Sequence, residues 1–376
     1  MSSVLVDDLP LIDHHCHGVA RDPLDRAGFE AQLCEAAGPS RWHGSLFDSQ
    51  VGFAVRRVCA PLLDLPTHAP ADDYLARRAE LGADEVNRRL VTSTGITEFL
   101  VDTGYLGDTV TSPAELGELG AATARRIVRL ETVAEQVITT STAAGFADAY
   151  RAALADAATD AVGLKSIAAY RVGLDLDPRR PEPRDVEVAA SRWRTDLDNG
   201  APLRMADEVL TRFVFWTGID LGKPVQFHVG YGDADIDLHR CDPLLLTPLL
   251  RATAGTGVPI MLLHNYPFHR HAGYLAQVFD HVFVDVGLTM QGVGNRAREV
   301  LAELFELAPF GAVLFSTDAF GLAELYAVST ALFREALDGF LGAGVADGSW
   351  SPEDARRIAR MVCADNARRA YGLDGA

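Results

Sequence analysis

Eight short apolar or β-branched runs alternate along this chain with stretches rich in Ala, Leu, Arg and Glu, and no other feature constrains the fold as much. The runs are LPLIDHHCH (9–17), ITEFLVDTG (96–104), VRLETVAE (128–135), AVGLKSIAAY (161–170), KPVQFHVG (223–230), PIMLLHNY (259–266), VFVDVG (282–287) and AVLFSTDA (312–319). Strands separated by helical stretches pair in parallel, so eight such units predict an α/β protein, a (β/α)8 or TIM barrel. In that fold the active site lies at the C-terminal ends of the strands.

Two places break the rhythm. Residues 20–95, which include LARRAELGADEVNRRL (75–90), read as a helical insertion after strand one, packed over one end. The charged, Pro-rich LDLDPRRPEPRDVE (174–187) reads as a surface loop leading into the helical ADEVLTRFVFWTGIDLG (206–222). Neither is self-contained and no repeat is present, so residues 1–376 are expected to form one domain.

With 34 basic against 52 acidic residues the net charge is −18, which argues against nucleic acid or an anionic membrane as partner. The five cysteines (Cys16, Cys34, Cys59, Cys241, Cys363) are scattered without CxxC spacing, so neither a disulfide framework nor a cysteine zinc site is indicated, and a reducing cytoplasm is expected. MSSVLVDDLP lacks a leader pattern and no run approaches the roughly 18 apolar residues of a membrane span, so neither export nor insertion is expected. Oligomeric state is not legible, although apolar decoration around barrels often serves a homo-oligomer.

The first run carries three histidines in LIDHHCHG. Strand alternation puts Asp13, His15 and His17 on one face, with His14 and Cys16 on the other. Two imidazoles side by side at a strand end suit a divalent ion such as zinc, whereas an isolated HxH is as often polar decoration. Lys165, His228, His264 and Asp318 also stand at or near predicted C-terminal ends of strands, where burial is unfavourable unless each group is paired or coordinated. Singly each has an ordinary explanation, Asp318 as a helix cap included. Together they do not.

In that order the residues resemble the amidohydrolase superfamily of metal-dependent TIM-barrel hydrolases. The resemblance implies that His15, His17 and Asp318 hold one metal, that His228 and His264 hold a second or stand just outside the first, and that a carboxylated Lys165 bridges the two. The wording of IDHHCHG, RRLVTSTGITEFLVDTG, GLKSIAAYRVGL, QFHVGYGD and LFSTDAFG is most similar to the branch containing modules fused to glutamine-synthetase domains in FluG-like proteins. The chain is expected to be that module alone, with no synthetase half after Ala376.

The expected cofactor is one or two divalent ions, zinc first, with manganese, iron and nickel also suited. Such an ion lowers the pKa of bound water from about 16 towards 7 and polarises a carbonyl, and Asp318 can act as general base and then general acid. His264 either ligates or stabilises the developing oxyanion. The leading expectation is therefore hydrolysis of an amide C–N bond in a small molecule, and the resemblance suggests a γ-glutamyl amide. Arg171 is then placed to hold the substrate carboxylate, with Tyr231 and Asp233 on a specificity loop. The alternative is a single-metal decarboxylase of a small aromatic or enoic acid, and a non-catalytic metal-binding module is a third reading.

Asp102 and Glu131, assigned to strands two and three, are candidates for hydrogen bonds to ligand histidines. Tyr170 is expected to pack away from the site, and Arg56 and Arg57 to solvate a helix. His269 and His271 are expected at the surface. His14, His43, His68, His239 and His281 are read as ordinary polar histidines.

Overall fold

In the computed structural model, which describes residues 6–36, 38 and 42–373, seven parallel strands each pair with the next in sequence. They are β1 (Leu11–Cys16), β2 (Ile96–Asp102), β3 (Thr123–Arg129), β4 (Ala161–Ser166), β5 (Val225–Val229), β6 (Ile260–His264) and β7 (Val282–Val284), with helices between them. The architecture is α/β and TIM-barrel-like. The first five residues and Ala376, on which the reading of the termini rested, lie outside the described residues.

The expected eighth strand is not a regular strand. Leu314 N donates to Val284 O at 2.9 Å, while Phe315 O accepts from His14 N at 3.1 Å and Asp318 N donates to His15 O at 3.0 Å. The segment thus bonds to both edges of the sheet, but its ladder is interrupted where Asp318 takes a left-handed φ of 48°.

Strand three lies earlier than its apolar signal. The expected 128–135 is mainly the helix Leu130–Thr140, and β3 contains Arg125 and Arg126, whose guanidinium groups bond to Glu98 and Asp160. Ion pairing lets charged residues occupy a strand that periodicity would reject. Glu131 consequently stands on the first turn of a helix rather than on a strand. The fourth run ends its strand at Ser166 and turns into the short helix Ala168–Arg171, and the presumed 174–187 loop gives way to the helix Pro183–Asp198, with Pro in its first turn.

Among the described residues four α-helices, Arg26–Ala31, Gln50–Leu62, Ala71–Leu81 and Ala83–Thr92, lie between β1 and β2. Gln50–Leu62 and Ala83–Thr92 pack with the long helix Ala323–Asp347, and Ala71–Leu81 reaches it through buried Glu324, which accepts from Arg78 Nε and from the Tyr74 hydroxyl, both at 2.9 Å. Inside the sheet Ile12, Leu100, Ile127, Met261 and Leu263 form a core that residues of the C-terminal helix Asn366–Tyr371 join. Each such side chain contributes roughly 1.5–3 kcal/mol by leaving water. Among the described residues no helix is long and apolar enough to cross a membrane.

Candidate metal centre

His15, His17, Lys165, His228, His264 and Asp318 line one cavity of about 280 Å³ with Arg171 and Asp233. It lies at the C-terminal ends of the strands because each of these groups closes, or closely follows, its strand. Asp318 Oδ1 is 3.1 Å from His15 Nε2 and 3.4 Å from His17 Nε2, and its Oδ2 is 3.4 Å from His264 Nδ1.

The tautomers of the two first-strand histidines follow from their other nitrogens. His15 Nδ1 donates to Gln226 Oε1 at 2.8 Å, and His17 Nδ1 donates to the Asp102 carbonyl at 3.0 Å. Gln226 is oriented by its own bonds, since its Nε2 donates to His14 O at 2.7 Å and to the Tyr371 hydroxyl at 2.8 Å. Both Nε2 atoms therefore present lone pairs towards a carboxylate. Acceptors facing an acceptor in a buried site repel unless a cation or a proton lies between them. Burial first, and then the Lys165 ammonium, pushes the His15 imidazole down to about 3, which disfavours the proton. His264 is buried with neither ring nitrogen hydrogen-bonded, and His15, His264 and Asp318 hold ligand atoms within 4.8 Å of one another. The donor set fits a divalent ion.

Burial alone raises the Asp318 carboxyl, and the group is held well below the usual carboxylate range only when positive charge stands among the rings of His264, His15 and His17, the place a divalent ion would take. Burial lowers the Lys165 amine to about 8 against the pull of Asp318 and Asp102, and Nζ lies 3.4 Å from His15 Nε2. His228 faces His264, with ring centroids 4.8 Å apart, but its Nε2 is 3.1 Å from Tyr231 O. A second set, His15, His17 and Asp102, also has ligand atoms close together, yet Arg129 already binds the Asp102 carboxylate at 2.6 Å.

Several residues depart from expectation. Tyr170 does not pack away, since its ring lies 4.5 Å from that of His228 and it lines the cavity beside Arg171. The helical turn at 168–171, rather than an extended chain, puts both on one side. Tyr231 lies outside this cavity, its hydroxyl donating to Leu288 O at 2.9 Å. Glu131 touches no ligand histidine and instead accepts from Ser166 Oγ at 2.7 Å and Ile167 N at 2.9 Å. His14 is not an ordinary polar histidine. The β1–β2 register shifts between Asp13 and Cys16, and the buried His14 ring donates to Asp285 at 2.8 Å while accepting from the Tyr371 hydroxyl at 3.0 Å. His269 is buried against Glu303 at 2.6 Å, whereas His271 is exposed. Arg57 pairs with Glu335, and Arg56 donates to Ala69 O and His68 O.

Sequence reasoning missed Gln226, Asp285, Tyr371, Arg129, Arg204 and Glu35. Gln226 was within reach, because it stands two residues before His228 on the same face of β5. Asp285, an acid inside VFVDVG, carried a signal too, and its Oδ1 accepts from His264 N at 2.8 Å. Glu35 and Tyr371 come from segments with no pattern pointing inward.

The amidohydrolase family profile matches residues 140–373. Over 412 aligned residues the chain is 27% identical to Protein fluG of Emericella nidulans, covering 98% of this chain and 46% of that protein, so it spans about half the length of that curated relative. A solved structure from Lactobacillus casei, assigned as a metal-dependent hydrolase, is 29% identical with a TM-score of 0.85, over 98% of this chain and 96% of that one. The uronate isomerase of Thermotoga maritima, 13% identical over 97% and 95% of the chains with a TM-score of 0.66, shares the fold alone.

Proposed function

This chain belongs to the amidohydrolase family of metal-dependent hydrolases, and on that premise we propose that it cleaves an amide C–N bond, with a γ-glutamyl amide or a related small carboxylate-bearing amide as substrate. One observation carries the reading: two imidazole lone pairs, fixed by donor bonds on the far side of each ring, face the buried Asp318 carboxylate. His15, His17, His264 and Asp318 would hold one ion, zinc first given the nitrogen and oxygen donors, with manganese, iron or nickel as substitutes. Lys165, carboxylated, and His228 would complete a site for a second. We place the protein in the cytoplasm, as a single barrel domain closed by residues 312–319 with the 20–95 segment as its helical insertion. The five unpaired cysteines support that compartment.

An ion held there supplies Lewis acidity, lowering the pKa of water towards 7 and polarising the scissile carbonyl. Asp318, ionised at neutral pH, takes the proton from the attacking water and delivers it to the departing nitrogen. His264, whose imidazole burial pushes down to about 4, stays neutral and so keeps a ring-nitrogen lone pair for the ion. Arg171, which lines the cavity and whose Nη2 stands 3.4 Å from Glu135 Oε1, holds the substrate carboxylate.

The test is elemental analysis of the isolated protein, paired with a screen of γ-glutamyl amides for released amine and glutamate. Asp318→Asn is expected to lower kcat by about 100-fold or more. Arg171→Met is expected to raise KM roughly 10- to 100-fold, as loss of a charged hydrogen bond implies. The decarboxylase reading, with a single ion, has one observation in its favour, the contact of His228 Nε2 with Tyr231 O. Carbon dioxide release from an acid, with no amide cleaved, would establish it in place of hydrolysis.

A further inference from the structure

A second chamber of about 410 Å³ opens beside the metal-site cavity. Its wall is mostly apolar, with Leu33, Leu46, Val51, Leu288, Phe320 and Leu325 in it, and Glu35, Leu288 and Phe320 line both spaces. The two chambers therefore meet at Phe320, two residues beyond Asp318. Their linings are chemically opposite. The first carries the metal-site residues and Arg129, Arg171 and Arg204, whereas among the described residues no Lys or Arg lines the second.

From this juxtaposition we infer that the substrate is bipartite: a small carboxylate-bearing acyl half lies against Arg171 in the first chamber, and the apolar substituent of the departing amine, an alkyl chain or an aromatic ring, lies in the second. The inference rests on the amide reading above and names its leaving group. The orientation follows from position. Asp318 protonates the nitrogen that leaves, and Phe320, two residues beyond it, lines the apolar chamber, whereas Arg171 lines the first chamber alone. Size agrees as well, because an apolar cavity of about 150 Å³ already admits a benzene ring. Glu35 at the junction is pushed up to about 8, by burial and then by Asp318 and Asp233, so it adds little charge there at neutral pH.

The experiment uses γ-glutamyl n-alkylamides from methyl to hexyl, with γ-glutamyl anilide. Hydrolysis is followed with the metal-loaded protein, and binding by calorimetry with Asp318→Asn. The expected result is a gain of about three- to fourfold in kcat/KM and in affinity per added methylene until the chamber fills, as burial of a CH2 group implies. Leu46→Trp and, separately, Val51→Phe should flatten that gradient, whatever their absolute rates. Hydrolysis with no dependence on chain length would overturn the chamber assignment and leave the amide reading intact. Chain-length-dependent binding without hydrolysis of any member would do the reverse. Absence of both would remove both.

Discussion

His15 and His17 are each held by a bond on Nδ1, so what they offer the cavity depends on residues that never touch substrate. Gln226→Leu removes the acceptor for His15 and should weaken metal affinity by roughly 10- to 100-fold with the ligands intact, read by competition with a chelating dye. Asp13 makes a different case. Burial, opposed by its bonds to Thr317, raises its carboxyl from 3.8 to about 8, so the folded protein keeps a proton that the unfolded chain releases. That contribution to stability is fully present below about pH 4, declines as pH rises, and levels off above about 8. Wild type should therefore lose about 1.4 kcal/mol per pH unit relative to Asp13→Asn across that window, measured by urea denaturation. A gap independent of pH would show that Asp13 is ionised in the fold.

At the scale of elements, strand ends are where this fold accepts backbone strain. His264, Asn265 and Asp318 have φ of 67°, 63° and 48°, left-handed values that non-glycine residues rarely adopt. Gly230, after β5, has φ of 82°, and a Cβ there would stand 2.3 Å from Tyr266 O. Gly230→Ala should cost about 1–3 kcal/mol and lower metal content as well, because the displaced turn carries His228 and Tyr231. Thermal unfolding with metal analysis checks both. Six strands could be placed from their apolar runs. Strand three could not, because Arg125 and Arg126 make it read as polar, and segment eight could not be seen as irregular because strain at Asp318 leaves no mark in composition.

For the whole molecule, the helices after β1 are tied to Ala323–Asp347 through a buried ion pair, Arg78 with Glu324. Arg78→Met leaves that carboxylate buried and uncompensated, and should destabilise the fold by about 3–5 kcal/mol, seen as a lower Tm. A replacement costing nothing would mean that the segment holds its place by packing alone. The tie bears on the proposed chamber because residues 32–35, with Leu46 and Val51, supply one of its walls. By itself the sequence determined the α/β class and that His15, His17, Lys165, His228, His264 and Asp318, which share one cavity, stand at or near strand ends, since periodicity and the cost of burying charge are local properties of a chain. Only the tertiary structure decided the rest: that His14 turns inward to Asp285 and Tyr371, that Gln226 fixes the His15 tautomer, that Tyr170 faces His228, and that Glu35 and Phe320 join two chambers. Those contacts span up to 357 positions and depend on where a curled sheet brings its edges, which no local pattern encodes.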